Sequence, residues 1–192
     1  MKKTIGFLLI IAGLYFCFHF FYHFFAQQQE TSIALEEAQE IVKASREVSQ
    51  ERSAFQPAQD EVAGILTIPK LGKSLPIVEG TEEEMLAKGV GHHDSTVFPG
   101  DGEQILLSGH RDTVFRSFGE LEVGDRFIVE MPYGTYEYEM RESEIVGAED
   151  RTVISSKGEE VLTLSTCYPF SFIGYAPDRY IIYAYPVGES AE

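Results

Sequence analysis

The sequence predicts a small closed β-barrel of about eight strands with one or two short helices, preceded by a single N-terminal transmembrane helix. Two observations carry this. From Val62 onward, short β-type runs follow one another between turn residues, without the long helical stretches that a βαβ fold needs. Before that, Ile5 to Phe25 runs without a charge, long enough to cross a hydrocarbon core of about 30 Å at about 1.5 Å per residue.

The start of the chain sets the compartment. Phe24-Phe25-Ala26-Gln27 lacks the small residue two positions before Ala26 that a signal-peptidase site requires, so an uncleaved anchor is preferred over a cleaved signal. Lys2 and Lys3 flank one side, and Gln27-Gln28-Gln29-Glu30 the other. The positive-inside rule then places the N-terminus in the cytoplasm and the remainder outside. His19 and His23 are four apart and would share a helix face. Two ligands without a third make a poor metal site, and polar ring tips near the interface explain them better.

Residues 1–26 are therefore read as cytoplasmic start and anchor, 27–60 as stalk and linker, 61–188 as the barrel and 189–192 as a tail. Ser32 to Gln50 is rich in Ala, Glu, Gln, Lys and Arg. Ile33, Leu35, Ala38, Ile41 and Val42 give it a weak helical period. Ser53 to Asp60 breaks that period and marks a linker. Ile65–Ile68 and Leu75–Val78 read as the first two strands. Thr81-Glu82-Glu83-Glu84 has capping-box spacing and opens a short helix ending near Lys88-Gly89. Gln104–Ser108 is strand-like, and Arg126–Met131 with Thr135–Val146 flank Pro132-Tyr133-Gly134 as a hairpin. Thr135 to Met140 alternates with period two, so one face is buried and one is wet. Val161–Thr166 and Tyr180–Tyr185 complete the set.

Charge narrows the function. The chain carries 15 basic and 31 acidic residues, a formal net charge of −16. That excludes a nucleic-acid reader, which needs a basic footprint, and argues against adhesion of the outer part to anionic lipid. Phosphate-binding loops, CxxC pairs and HExxH helices are absent from the sequence, so no cofactor and no metal are expected.

Three residues stand at strand ends. Cys167 closes Val161 to Thr166, His110 leaves the strand ending Ser108-Gly109, and Arg179 opens the last strand. The chain has two cysteines, and Cys17 lies in the apolar segment. Cys167 is thus an unpaired thiol in a compartment that oxidises thiols, which points to a reactive group or to a buried structural one. Thiol attack on a carbonyl needs a thiolate, a proton donor for the leaving amine and positive charge at the oxyanion. Cys167, His110 and Arg179 match these needs in that order. Taken singly, the histidine also reads as a structural turn residue and the arginine as a surface ion-pair member with Asp178.

Together the segments resemble a known family. Thr163-Leu164-Ser165-Thr166-Cys167-Tyr168-Pro169 with Arg179-Tyr180-Ile181-Ile182-Tyr183 resembles the TLxTC…R signature of sortases, the cysteine transpeptidases of Gram-positive surfaces. Gly91-His92-His93-Asp94 and Ser108-Gly109-His110-Arg111-Asp112-Thr113 resemble their other signature. The match runs from about Gly64 to Val187. Its wording looks most like class D; the box of a class C lid, expected before the barrel, is missing. Gly102-Glu103 stands where many members have Gly-Asn.

The resemblance implies an eight-stranded sortase-type barrel and a two-step acyl transfer. Cys167 would attack the carbonyl after Thr in an LPxTG-like sorting signal of a surface protein. His110 would protonate the leaving amine and then deprotonate the incoming one, from peptidoglycan or a lipid-linked cell-wall precursor. Arg179 would hold the oxyanion or the substrate backbone, helped by the Tyr168 N–H. Thr166, Tyr168, Thr113 and Phe170 are candidate substrate contacts, with packing as the competing role of each. A hydrolytic peptidase on the same barrel and a non-catalytic binding domain are the alternatives.

Overall fold

The computed structural model describes residues 2–47, 51–170, 174 and 176–188; the expected tail, 189–192, lies outside them. One unbroken helix, α1 (Lys2–Glu47), opens the chain. Its segment Thr4–Tyr22 has a mean hydropathy of 2.1. Ile10, Leu14, Phe16, Phe18 and Phe20 are all exposed around it. A helix apolar on every side fits a bilayer, with no water-facing stripe to leave wet.

The same helix continues through the expected stalk and does not stand clear of the barrel. Ala34, Ala38 and Val42 recur every four residues and are buried against Val62, Ile65, Val78 and Met85. Small side chains along one stripe let the helix lie close to the sheet surface. Ile33, one of the periodic residues in the sequence, faces outward instead. The Thr31 hydroxyl adds a hydrogen bond to the Ala87 carbonyl at 3.2 Å. The segment read as a linker is also packed: Phe55 is buried in the main core, its ring 5.4 Å from Phe98 and 5.2 Å from Tyr133.

Eight strands follow: β1 (Val62–Ile68), β2 (Lys73–Glu79), β3 (Val90–His92), β4 (Gln104–Gly109), β5 (Arg126–Met131), β6 (Gly134–Gly147), β7 (Val161–Tyr168) and β8 (Asp178–Pro186). They close into a barrel in the order β1-β2-β3-β4-β7-β8-β6-β5. The β2–β3 and β4–β7 pairs are parallel and the rest antiparallel. β6 is long enough to serve two partners. Its first part pairs with β5 across a tight Pro132-Tyr133 turn, and it reaches β8 with a register shift between Met140 and Glu142.

The expected eighth strand is β3, which holds three residues around a glycine and shows no alternation to read. The short helix α2 (Glu83–Lys88) forms, but its N-cap is Glu82, with no side-chain cap hydrogen bond. The capping box expected at Thr81 is therefore not used. The interior is filled by alternate residues such as Leu66, Ile105, Leu107, Phe127, Tyr138, Met140, Leu162, Leu164 and Ile182. Tyr136, Tyr138 and Met140 turn inward while Thr135 and Glu137 are exposed, the period-two pattern of the sequence.

Candidate active site

The strand register places the three singled-out residues on one rim. Cys167 of β7 lies directly opposite Arg179 of β8. On the other side of β7, Gly109 of β4 pairs with Thr166, and the two strands run parallel. His110 and Cys167 are each the next residue along. The three thus sit on neighbouring strands, spaced about 4.8 Å apart, with the thiol in the middle.

Their side chains share the outer face. Leu162 and Leu164 of β7, Ile105 and Leu107 of β4 and Ile182 and Ala184 of β8 point into the core. Alternation puts Cys167, His110 and Arg179 in the opposite set. Cys167 is half-buried and unpaired. His110 is one-quarter exposed, with Nε2 3.8 Å from Glu83 Oε1 on α2. Arg179 Nη1 donates to the carbonyls of Ala176 (3.3 Å) and Asp178 (3.0 Å). Its partner is therefore main chain; the surface ion pair with Asp178 is not formed.

The turn that presents His110 is fixed by packing. Phe115 N donates to His110 O at 3.0 Å, and Phe115 and Phe118 stack in the core. Gly109 has to be glycine: a Cβ there would lie 2.7 Å from Val114 Cγ2 and 2.8 Å from the Phe115 ring.

The sortase domain model matches residues 66–187. The chain belongs to the sortase family. It is 42% identical to sortase D of Bacillus subtilis (strain 168) over 95% of this chain and 98% of the relative. It is 46% identical to the catalytic domain of B. anthracis SrtD, covering 73% of this chain and 97% of that one with a TM-score of 0.59. The fold alone is shared with a Clostridium perfringens sortase D5 transpeptidase: 24% identity, TM-score 0.71, 83% of this chain and 99% of that chain. Within the family the chain is class D in character, a transpeptidase barrel behind an apolar N-terminal helix.

The remaining candidates in this sortase divide by environment. Thr166 is buried, and its hydroxyl donates to Gly109 O at 2.7 Å, tying the ends of β7 and β4 together. Tyr168 and Phe170 form an aromatic cluster with Tyr180, at ring distances of 5.2 to 6.4 Å. Phe170 leans on the core. The Thr113 hydroxyl is buried without a hydrogen-bond partner, beside a groove of about 490 Å³ between α1 and the His110 turn. Residues 171–173 and 175 of the loop beyond Phe170 lie outside the described set.

His92 and His93 are away from the rim. His92 is buried under Phe98, its Nδ1 2.7 Å from Glu79 Oε2 and its Nε2 3.0 Å from Val97 O. His93 follows it beside Leu106, four residues before His110, and accepts from Ser95. Sequence reasoning passed over Lys73 and Arg111. Lys73 of β2 donates to the carbonyls of Thr113, Val114 and Arg116, which braces the His110 turn. Burial there, together with the Arg116 charge, pushes the Lys73 ammonium below its ordinary pKa. Its partners are main-chain carbonyls, which leave no mark in a sequence.

Proposed function

We propose that this sortase is a membrane-anchored cysteine transpeptidase that cleaves an LPxTG-like sorting signal after Thr and passes the acyl group to a cell-wall amine. The Cys167 thiolate adds to the Thr carbonyl carbon, and the oxyanion is held by the Arg179 guanidinium and the Tyr168 N–H. The C–N bond breaks, and His110 gives its proton to the departing amine. A thioacyl-enzyme results. An incoming amine then attacks the thioester, His110 accepts the proton it loses, and the Cys167 thiolate leaves. A new amide replaces the old one, so the step needs no energy-rich cofactor.

The observation that carries this reading is the shared rim: a thiol flanked on adjacent strands by an imidazole and a guanidinium, all on the outer face. The apolar span before it fits an enzyme acting at the membrane surface. The test is incubation with LPxTG-like peptides and a small amine, followed by mass spectrometry. Amide product that requires Cys167 supports transfer. Free acid only, whatever the amine concentration, means a hydrolase, and an inert thiol means a binding domain.

A further inference from the structure

Arg111 is adjacent to His110, yet its guanidinium reaches across the rim. Nη1 donates to Pro169 O at 2.7 Å and Nη2 to Gly174 O at 2.9 Å. Both carbonyls belong to the connection between β7 and β8, which begins just after Cys167 and ends just before Arg179. One side chain therefore joins the turn carrying His110 to the loop between the strands carrying the other two.

The two ends of this link are held differently. The turn at residues 110–118 is held by Lys73 on three carbonyls and by Phe115 and Phe118 in the core. At the other end the described residues are 169, 170, 174, 176 and 177. Phe170 packs on the core, and Arg179 reaches back to Ala176 O. Among the described residues no carboxylate lies within ion-pair distance of Arg111. Two carbonyls, and not an opposite charge, hold it in place.

We propose that Arg111 is a positioning residue: a latch that ties Pro169 and Gly174, just beyond Cys167, to the His110 turn and so holds imidazole and thiol in register. The proposal rests on the acyl-transfer reading of the site. A planar fork bonds two carbonyls at once from fixed nitrogens. An ammonium carries all its donors on one nitrogen, so it cannot place two separate nitrogens at the two carbonyls as the fork does. A loop shifted by about 1 Å beside the thiol is enough to lower turnover by about 10²-fold.

The test compares wild type, Arg111→Lys and Arg111→Gln in three measurements. Hydrogen exchange of segment 169–178 should rise in Arg111→Gln and less in Arg111→Lys, while β4 and β7 stay protected. Peptide kcat/KM should fall about 10²-fold in Arg111→Gln, with Arg111→Lys between it and wild type. Alkylation of Cys167 by iodoacetamide should keep its wild-type pH profile, because the latch does not act on the thiol's proton. Unchanged exchange in 169–178 overturns the latch, whether or not activity falls. Exchange rising throughout the barrel overturns it as well, by making Arg111 a general structural residue. A wild-type enzyme inert toward every peptide would instead sink the acyl-transfer reading, and the exchange comparison would still decide the latch.

Discussion

Cys167 and Arg179 face each other across the β7–β8 ladder, and the Arg179 guanidinium is fastened to its own loop through Nη1 bonds to Ala176 O and Asp178 O. The cation opposite the thiol is thus aimed by main-chain carbonyls. An ammonium on a flexible stem cannot be held by one nitrogen while presenting others. Arg179→Lys is expected to cost about 10²-fold in kcat, the size of losing one oxyanion donor. Steady-state kinetics on a sorting-signal peptide checks this, and wild-type kcat in the lysine variant would remove Arg179 from the site.

Cys167→Ala is expected to abolish turnover and leave the barrel folded. The side chain is small and half-buried on the outer face, outside the interior layer of Leu162, Leu164 and Ile182. Thermal unfolding should stay within a few degrees of wild type. Intact-mass measurement should find the acyl adduct in wild type and none in the variant. Residual transfer in the variant would put the nucleophile elsewhere.

The three histidines of the barrel should separate cleanly. His110→Ala removes the proton shuttle and is expected to lower activity about 10²-fold or more, with loss of the bell-shaped pH profile. His93 sits on a surface turn with Ser95 and Asp94, and its alanine variant should keep both rate and profile. His92→Ala is expected to act on stability. It leaves the Glu79 carboxylate half-enclosed without its partner, at about 1–3 kcal/mol. Denaturant midpoints beside pH–rate curves distinguish these outcomes, and a profile lost through His93 would move the catalytic centre.

Seven of the eight barrel strands, and the place of Cys167, His110 and Arg179 at strand ends, were legible because the apolar pattern of those runs is visible. Cys167 and Arg179 close and open strands that read plainly, and antiparallel pairing then brings them together. Three features were not fully legible, for physical reasons. β3 is too short to alternate. The docking face of α1 showed only as a faint period: Leu35, Ala38, Ile41 and Val42 do pack toward the sheet with Ala34, but two alanines in a polar, alanine-rich helix leave the period too weak to tell a docked helix from a free stalk. The task of Arg111 leaves no trace in the sequence because its partners, two carbonyls some sixty residues away, carry no side-chain signature.

Glu103 has a structural task that predicts a pH dependence. Its carboxylate accepts from Lys157 N at 2.7 Å and Gly158 N at 2.8 Å. The Ser156 side-chain hydrogen bond, followed by the Lys157 amide, holds its pKa below the ordinary carboxylate value. A carboxylate with a lowered pKa stabilises the fold above its unfolded value and loses that contribution as pH falls through the folded one. Glu103→Gln should therefore be less stable than wild type at neutral pH, with the gap closing below about pH 4.3. Urea unfolding at several pH values checks this. A gap independent of pH would mean the carboxylate charge is not what holds residues 156–158.

The last prediction concerns which side of the membrane holds the barrel. Lys2 and Lys3 precede the Thr4–Tyr22 span, and Glu30 is the first charged residue after it. The lysines should stay in the cytoplasm. The stretch Gln28 to Glu30 is exposed, while tertiary contact begins with Thr31 on Ala87 and the buried stripe from Ala34 to Val42. Helix without tertiary support frays most readily. Protease added to intact protoplasts is therefore expected to cut just beyond the span and release a fragment in which the rest of α1 remains bound to the barrel. Ala38→Arg puts a charged side chain into the buried stripe, and it should extend cleavage along α1 toward residue 47 without unfolding the barrel interior. A barrel protected in intact protoplasts but cut after lysis would reverse the topology. Cleavage of wild type throughout residues 31–42 would show that α1 does not dock.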